Sequence, residues 1–218
     1  MYSGFAQVND SIARGERTVK VNDPFYREDQ FYLGITHSIY LDTPSGFNQN
    51  GISTGFQAGF VRDIPINKQR NWAIATGVGL STFNMRTNLL VLNPNMGDYE
   101  INSNYDRNKQ NHYFLDIPLE IRWRTSHRFS HKFWRIYTGV RYSYLLGSSS
   151  IYKGYYGEIK HSKDIHLNTS QLGAYVSAGF NTWNFHAYYG FTPLYKSGSI
   201  SESHSIHTLH VGLMFYIL

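Results

Sequence analysis

In the stretch KFWRIYTGVRYSYLL, Lys132 to Leu146, side-chain character changes at nearly every step. Trp134, Ile136, Thr138, Val140, Tyr142 and Tyr144 share one parity, while Phe133, Arg135, Tyr137, Gly139, Arg141 and Ser143 share the other. Successive side chains of a strand point to opposite faces, so the stretch reads as a strand with one greasy wall and one polar wall. Seven further segments carry the same period: QFYLGITHSIYL, GISTGFQAGFV, NWAIATGVGLS, HYFLDIPLEIRWR, the two halves of QLGAYVSAGFNTWNFHAYYGF, and HTLHVGLMFYIL. Turn-rich stretches separate them, and such a series predicts an all-β chain. Asn181 and Thr182 are expected to form a tight hairpin turn. Proline cannot donate to a ladder, so Pro118 is expected to mark a bulge or an unpaired position.

An apolar wall can face a soluble core or a bilayer, and three observations choose the bilayer. The polar wall is crowded with glycine, including Gly34, Gly55, Gly59, Gly77, Gly79 and Gly139. Glycine weakens a solvent-facing strand but suits the narrow interior of an eight-stranded barrel. All four tryptophans, Trp72, Trp123, Trp134 and Trp183, lie on the apolar parity beside short turns. That is the placement of an aromatic girdle at a membrane interface, where the ring is buried and the N–H stays wet. Connections also alternate, short after the second, fourth and sixth segments and longer after the others, as short periplasmic turns and long outer loops do. The expected fold is therefore an eight-stranded antiparallel up-and-down transmembrane β-barrel spanning 30–218, with both ends in the periplasm. Its place is the outer membrane of a Gram-negative bacterium.

Composition narrows the function classes. Aromatic residues make up 17% and charged residues 16% of the 218, which argues against disorder for most of the chain. Cysteine is absent, so disulfide and thiolate chemistry are excluded. The net charge of +5 is spread along the chain, without the clustered basic face that nucleic-acid binding needs. No run of eighteen apolar residues exists that would read as a transmembrane helix. Residues 1–29 read as a signal-peptide remnant followed by a polar periplasmic leader. Gly4 and Ala6 stand before Gln7 as at a signal-peptidase site, although an ordinary polar chain start would look similar.

Several side-chain groups invite chemistry. On the polar wall Asp116, Glu120, Arg122, Arg124, Arg135 and Arg141 could line an ion path, but inside a small barrel they are expected to pair as a salt-bridge network. His204, His207 and His210 are spaced three apart and alternate faces, so no metal site is expected, and no cofactor is implied. His204 with Ser205, and His161 with Ser162 and Asp164, resemble fragments of a hydrolase triad. They lack a nucleophile motif, so no catalytic residue and no enzyme activity is assigned. NLLVLNPNMGDYEIN and SIYKGYYGEIK have apolar flanks around turns and are expected to form hairpins above the membrane, where exposed tyrosine, asparagine and leucine would contact a partner.

The segments YREDQFYLGIT, GFQAGFVRDIPINKQRNWAIATGVGLS, LDIPLEIRWRTS and KFWRIYTGVRYSYL resemble the PorT family of outer-membrane β-barrels, associated with type IX protein secretion. The resemblance covers Tyr26 to about Leu146, and the later strands match only the broad class of small porin-like barrels. It implies a role in exporting proteins with a C-terminal secretion signal, with partners in the type IX machinery as well as outer-membrane lipid and lipopolysaccharide. Because an eight-stranded barrel is filled by its own side chains, that role would be scaffold or assembly partner rather than conduit. Periplasmic partner contacts are then expected at Asp63, Ile64, Pro65, Lys68, Arg70 and Arg128. A loop-displaying barrel for adhesion or recognition and an outer-membrane lipid-active enzyme are the alternatives.

Overall fold

The structure is a computed structural model and describes residues 29–125, 134–200 and 203–217. Residues 1–28 of the leader expected over 1–29, and the partner contact expected at Arg128, lie outside the described residues, while Asp29 opens the first strand. Eleven strands occur among them: β1 (Asp29–Leu41), β2 (Thr54–Pro65), β3 (Trp72–Arg86), β4 (Leu89–Asn93), β5 (Asp98–Ile101), β6 (Tyr105–Arg124), β7 (Trp134–Gly154), β8 (Gly157–Ser162), β9 (Ser170–Phe180), β10 (Trp183–Gly190) and β11 (His207–Ile217). Eight of them, β1, β2, β3, β6, β7, β9, β10 and β11, pair antiparallel with their chain neighbours, and β11 closes on β1. The result is a closed eight-stranded up-and-down barrel without an unpaired edge, as expected from the alternation.

Parity divides the wall as read from the sequence. In β1 the exposed residues are Phe31, Leu33 and Ile35, and the buried ones are Tyr32, Gly34, Thr36 and Ser38. Glycine admits the larger lumen side chains: a Cβ at Gly59 would approach the Tyr32 hydroxyl to 2.5 Å, and one at Gly79 would clash with it outright. Pro118 keeps the register, with Thr76 pairing with Leu119 and Gly79 with Asp116, but it interrupts the ladder as an unpaired position. The two positions between them are unpaired on the β3 side, where Thr76 Oγ1 donates to the Pro118 carbonyl at 3.0 Å. The bulge lies elsewhere, at Leu146, where the β6–β7 register shifts between Tyr113 and Phe114.

The strands run further than alternation alone suggests. β2 continues through Arg62, Asp63 and Ile64, and β6 and β7 reach 20 and 21 residues. At one rim sit the β2–β3 and β9–β10 turns, the start of β1 and the end of β11. The β9–β10 turn there uses Asn181 at φ 57°, a conformation asparagine tolerates better than most residues. At the other rim β4 and β5 form a hairpin and β8 folds back on β7, as the two loop segments predicted.

Candidate functional site: a braced lumen and a capped mouth

The six charged side chains expected in the lumen are all buried there. They form two groups at different heights. Near the short-turn rim, Asp63 receives Arg122 Nη1 at 2.5 Å and Arg124 Nη1 at 3.2 Å, and Arg122 also pairs with Glu120. Arg122 Nη1 donates to Gln30 Oε1 at 3.0 Å, and the Tyr175 hydroxyl donates to Glu120. The guanidinium of Arg122 lies 4.3 Å from the Tyr137 ring, and that of Arg135 lies 5.8 Å from the same ring. Mid-barrel, Asp116 accepts from Ser143 Oγ at 2.5 Å and stands 4.0 Å from Arg141 Nε. Arg141 donates to Gln57 and lies 3.9 Å over the Tyr188 ring.

Asp63 corrects an expectation. The sequence places it in a turn that contacts partners, yet it is fully buried and bridges two arginines. The physical reason is strand length: alternation persists through VRDI, which turns Asp63 inward and Arg62 outward, where Arg62 pairs with Asp29 at 2.7 Å. Continued alternation was the signal that would have found it. Ile64 and Lys68 are exposed at the rim and Pro65 is half-buried, while Arg70 is half-buried and its carbonyl accepts from Arg124 Nε at 3.1 Å. Trp72, Trp134 and Trp183 are exposed on the outer wall, and Trp123 is half-buried beside its ladder partner Trp72. Trp134 packs on Phe180 and Trp183 on Phe215, so aromatic rings circle this rim.

At the long-loop rim the mouth is plugged. Leu89, Leu167, Leu194, Tyr195 and Ile206 join Tyr40, Phe83, Met85 and Phe114 in one buried cluster. The Leu89 carbonyl accepts from Asn108 Nδ2 at 2.8 Å and Gln110 Nε2 at 3.2 Å, and the Tyr195 hydroxyl donates to Gln110 Oε1 at 2.8 Å. Tyr99 of β5 donates to the two Asp164 oxygens, at 2.9 and 2.8 Å, and burial holds the Asp164 carboxyl above the usual carboxylate range. Three spaces among the described residues of the lumen and beneath the cap have volumes of about 20, 10 and 10 Å³. Each holds about one water.

His204, His207 and His210 do not converge. His210 is buried in the lumen, stacked 4.0 Å from the Phe83 ring, whereas His207 and His204 are half-buried at the long-loop rim. His161 and Ser162 are adjacent on β8 and therefore face opposite ways.

A closed barrel with an apolar outer band, a charged lumen and one aromatic rim is the anatomy of a bacterial outer-membrane protein. The family described as outer membrane protein beta-barrel domain matches residues 5–196. The chain belongs to this family. This outer-membrane barrel accordingly has its short-turn rim in the periplasm and its plugged mouth outside. Among solved structures it is similar to Ail, the attachment invasion locus protein of Yersinia pestis, in complex with the heparin analogue sucrose octasulfate. That match has 11% identity and a TM-score of 0.39, over 88% of this chain and 99% of the other. A second Ail structure matches at 13% identity and a TM-score of 0.38, over 87% of this chain and 97% of the other. No curated protein matches the chain.

Proposed function

We propose that this barrel is a non-enzymatic, non-conducting scaffold of the outer membrane that works through protein contacts at its outer platform. The observation that carries the reading is the contrast between the two parts of the outer side. The cap is a fixed plug, whereas the hairpin tips above it present Met96 and Tyr155 at 81% and 80% exposure, with Tyr156 packed on Tyr155. Large apolar and aromatic side chains held on ordered hairpins suit a docking surface better than a lid. The setting we propose is type IX secretion, on the strength of the four PorT-like segments, with the barrel as accessory rather than conduit.

Deleting the protein and measuring export of type IX cargo tests the setting, and reintroducing a Met96→Ser, Tyr155→Ser, Tyr156→Ser variant tests the surface. Export is expected to fall on deletion, to return with the wild-type chain and to stay low with the variant. Normal export after deletion overturns the secretion role. If surface attachment is lost instead, the barrel belongs with the adhesion and recognition class. His161→Ala and His204→Ala are expected to complement fully, and their failure would reopen the lipid-active enzyme.

A further inference from the structure

On the outside of the barrel, cross-strand partners share a face, so the ladders align side chains into rows. One row runs Arg86 on β3, Lys109 on β6, Ile151 on β7 and Lys160 on β8. The row above it holds Arg107, Lys153 and Glu158. Arg86, Arg107, Lys153 and Lys160 are exposed and Lys109 is half-buried. Against these five cations stand Glu158, paired with Lys160 at 2.7 Å, and Asp106 at the irregular end of β6. The row below is uncharged and hydrogen-bonded sideways: Asn84 Nδ2 donates to Asn111 Oδ1 at 2.9 Å, and Asn111 Nδ2 to Ser149 Oγ at 3.1 Å.

Directly beneath lies an open apolar groove of about 640 Å³, bounded by Leu33, Phe56, Leu80, Tyr113 and Leu146. It exists because Ala58 is short where its ladder neighbours are Leu33 and Leu80, and because the bulge turns Leu146 outward. Height places the two features. From Trp72 to Thr82 the strand advances ten residue steps, about 33 Å of strand and about 25 Å of height at a tilt of about 40°, which is the height of the apolar band. Arg86 is four residues further on, about 10 Å higher, at the level of lipid headgroups.

We propose that this wall is a binding site for a phosphorylated lipid of the outer leaflet, with an acyl chain in the groove over Ala58 and its phosphates on Arg86, Lys109 and Lys160. A chain partner would leave the groove filled by protein and the cations facing carboxylates. A lipid satisfies both from one molecule, and the groove opens into the layer where lipid already lies. Arg107 and Lys153 above the row extend the positive field towards further phosphates or acidic sugars of the same headgroup. The inference rests on the barrel's place in the outer membrane and is independent of the secretion reading.

Native mass spectrometry of the folded full chain in a zwitterionic detergent tests it, with bis-phosphorylated lipid A and its dephosphorylated counterpart as probes. The wild type is expected to retain the phosphorylated form preferentially. An R86A/K109A/K160A variant removes three phosphate contacts, so its affinity is expected to fall about tenfold or more with loss of the preference. Ala58→Phe projects into lipid and fills the groove. It is expected to weaken both probes together while keeping the preference. Lys68→Ala, at the periplasmic rim, serves as the control and is expected to bind as the wild type does. Each variant is first shown to be folded by its heat-modifiable migration. Equal retention of the two lipids by the wild type overturns the proposal, as does undiminished binding by the triple variant or an equal loss in Lys68→Ala.

Discussion

Asp63 shows how much one side chain can hold. Two guanidiniums from β6 meet on its carboxylate, and all three groups are sealed from water. Removing one partner of a buried ion pair leaves a charge with neither water nor a counter-ion. Asp63→Ala is therefore expected to lower the unfolding free energy by about 3–5 kcal/mol. Asp63→Asn, which keeps an acceptor for one arginine, is expected to lose less. Urea titration followed by heat-modifiable migration measures both, and an unshifted Asp63→Ala midpoint would mean that this cluster does not brace the rim. The lumen side of the network was legible because Asp116, Glu120, Arg122, Arg124, Arg135 and Arg141 sit on strands whose parity is plain. Its central anion was not, because RDIPINKQR contains a proline and several polar residues and so reads as a turn. The alternation through VRDI is short beside those turn signals, and the ladder between β2 and β3, which pairs Asp63 with Ala75, shows that the strand continues.

At the scale of elements, the eight wall strands were readable because a bilayer imposes apolar residues on every second position. The hairpins of β4 with β5 and β7 with β8 were readable from apolar flanks around a turn. The plug was not. Leu194, Tyr195 and Ile206 lie in a stretch without period, and the Tyr195 to Gln110 hydrogen bond joins residues 85 apart in the chain. Tyr99 and Asp164 are the titratable link in this cap. Burial raises the Asp164 carboxyl above its unfolded value, so the folded cap binds the proton more tightly than the unfolded chain does. Its contribution is thus full below the unfolded pKa and is lost as pH rises through the folded one. Hydrogen exchange of residues 163–169, corrected for intrinsic rate, is expected to show weaker protection at neutral pH than at acid pH. Asp164→Asn keeps an acceptor for the Tyr99 hydroxyl without the buried charge, and is expected to remove that pH dependence. A pH profile unchanged in Asp164→Asn would assign the effect to another group.

For the whole molecule, closure occurs three times along the same axis. The Asp63, Arg122 and Glu120 cluster fills the periplasmic end, Arg141 over Tyr188 fills the middle, and the Leu89, Leu194 and Tyr195 plug fills the outer end. Barriers in series add, so a permeating ion must cross all of them, and the spaces between hold about one water apiece. The purified barrel in a planar bilayer is therefore expected to show no conductance steps. A double variant, Arg141→Ala with Tyr188→Ala, opens only the middle barrier and is expected to stay silent as well. Steps in the wild type would sink the closed lumen and return the charged residues to the role of an ion path. Silence in both places the working surfaces on the outside of the barrel, where the lipid-facing groove and the hairpin tips lie on separate faces and can be altered one at a time.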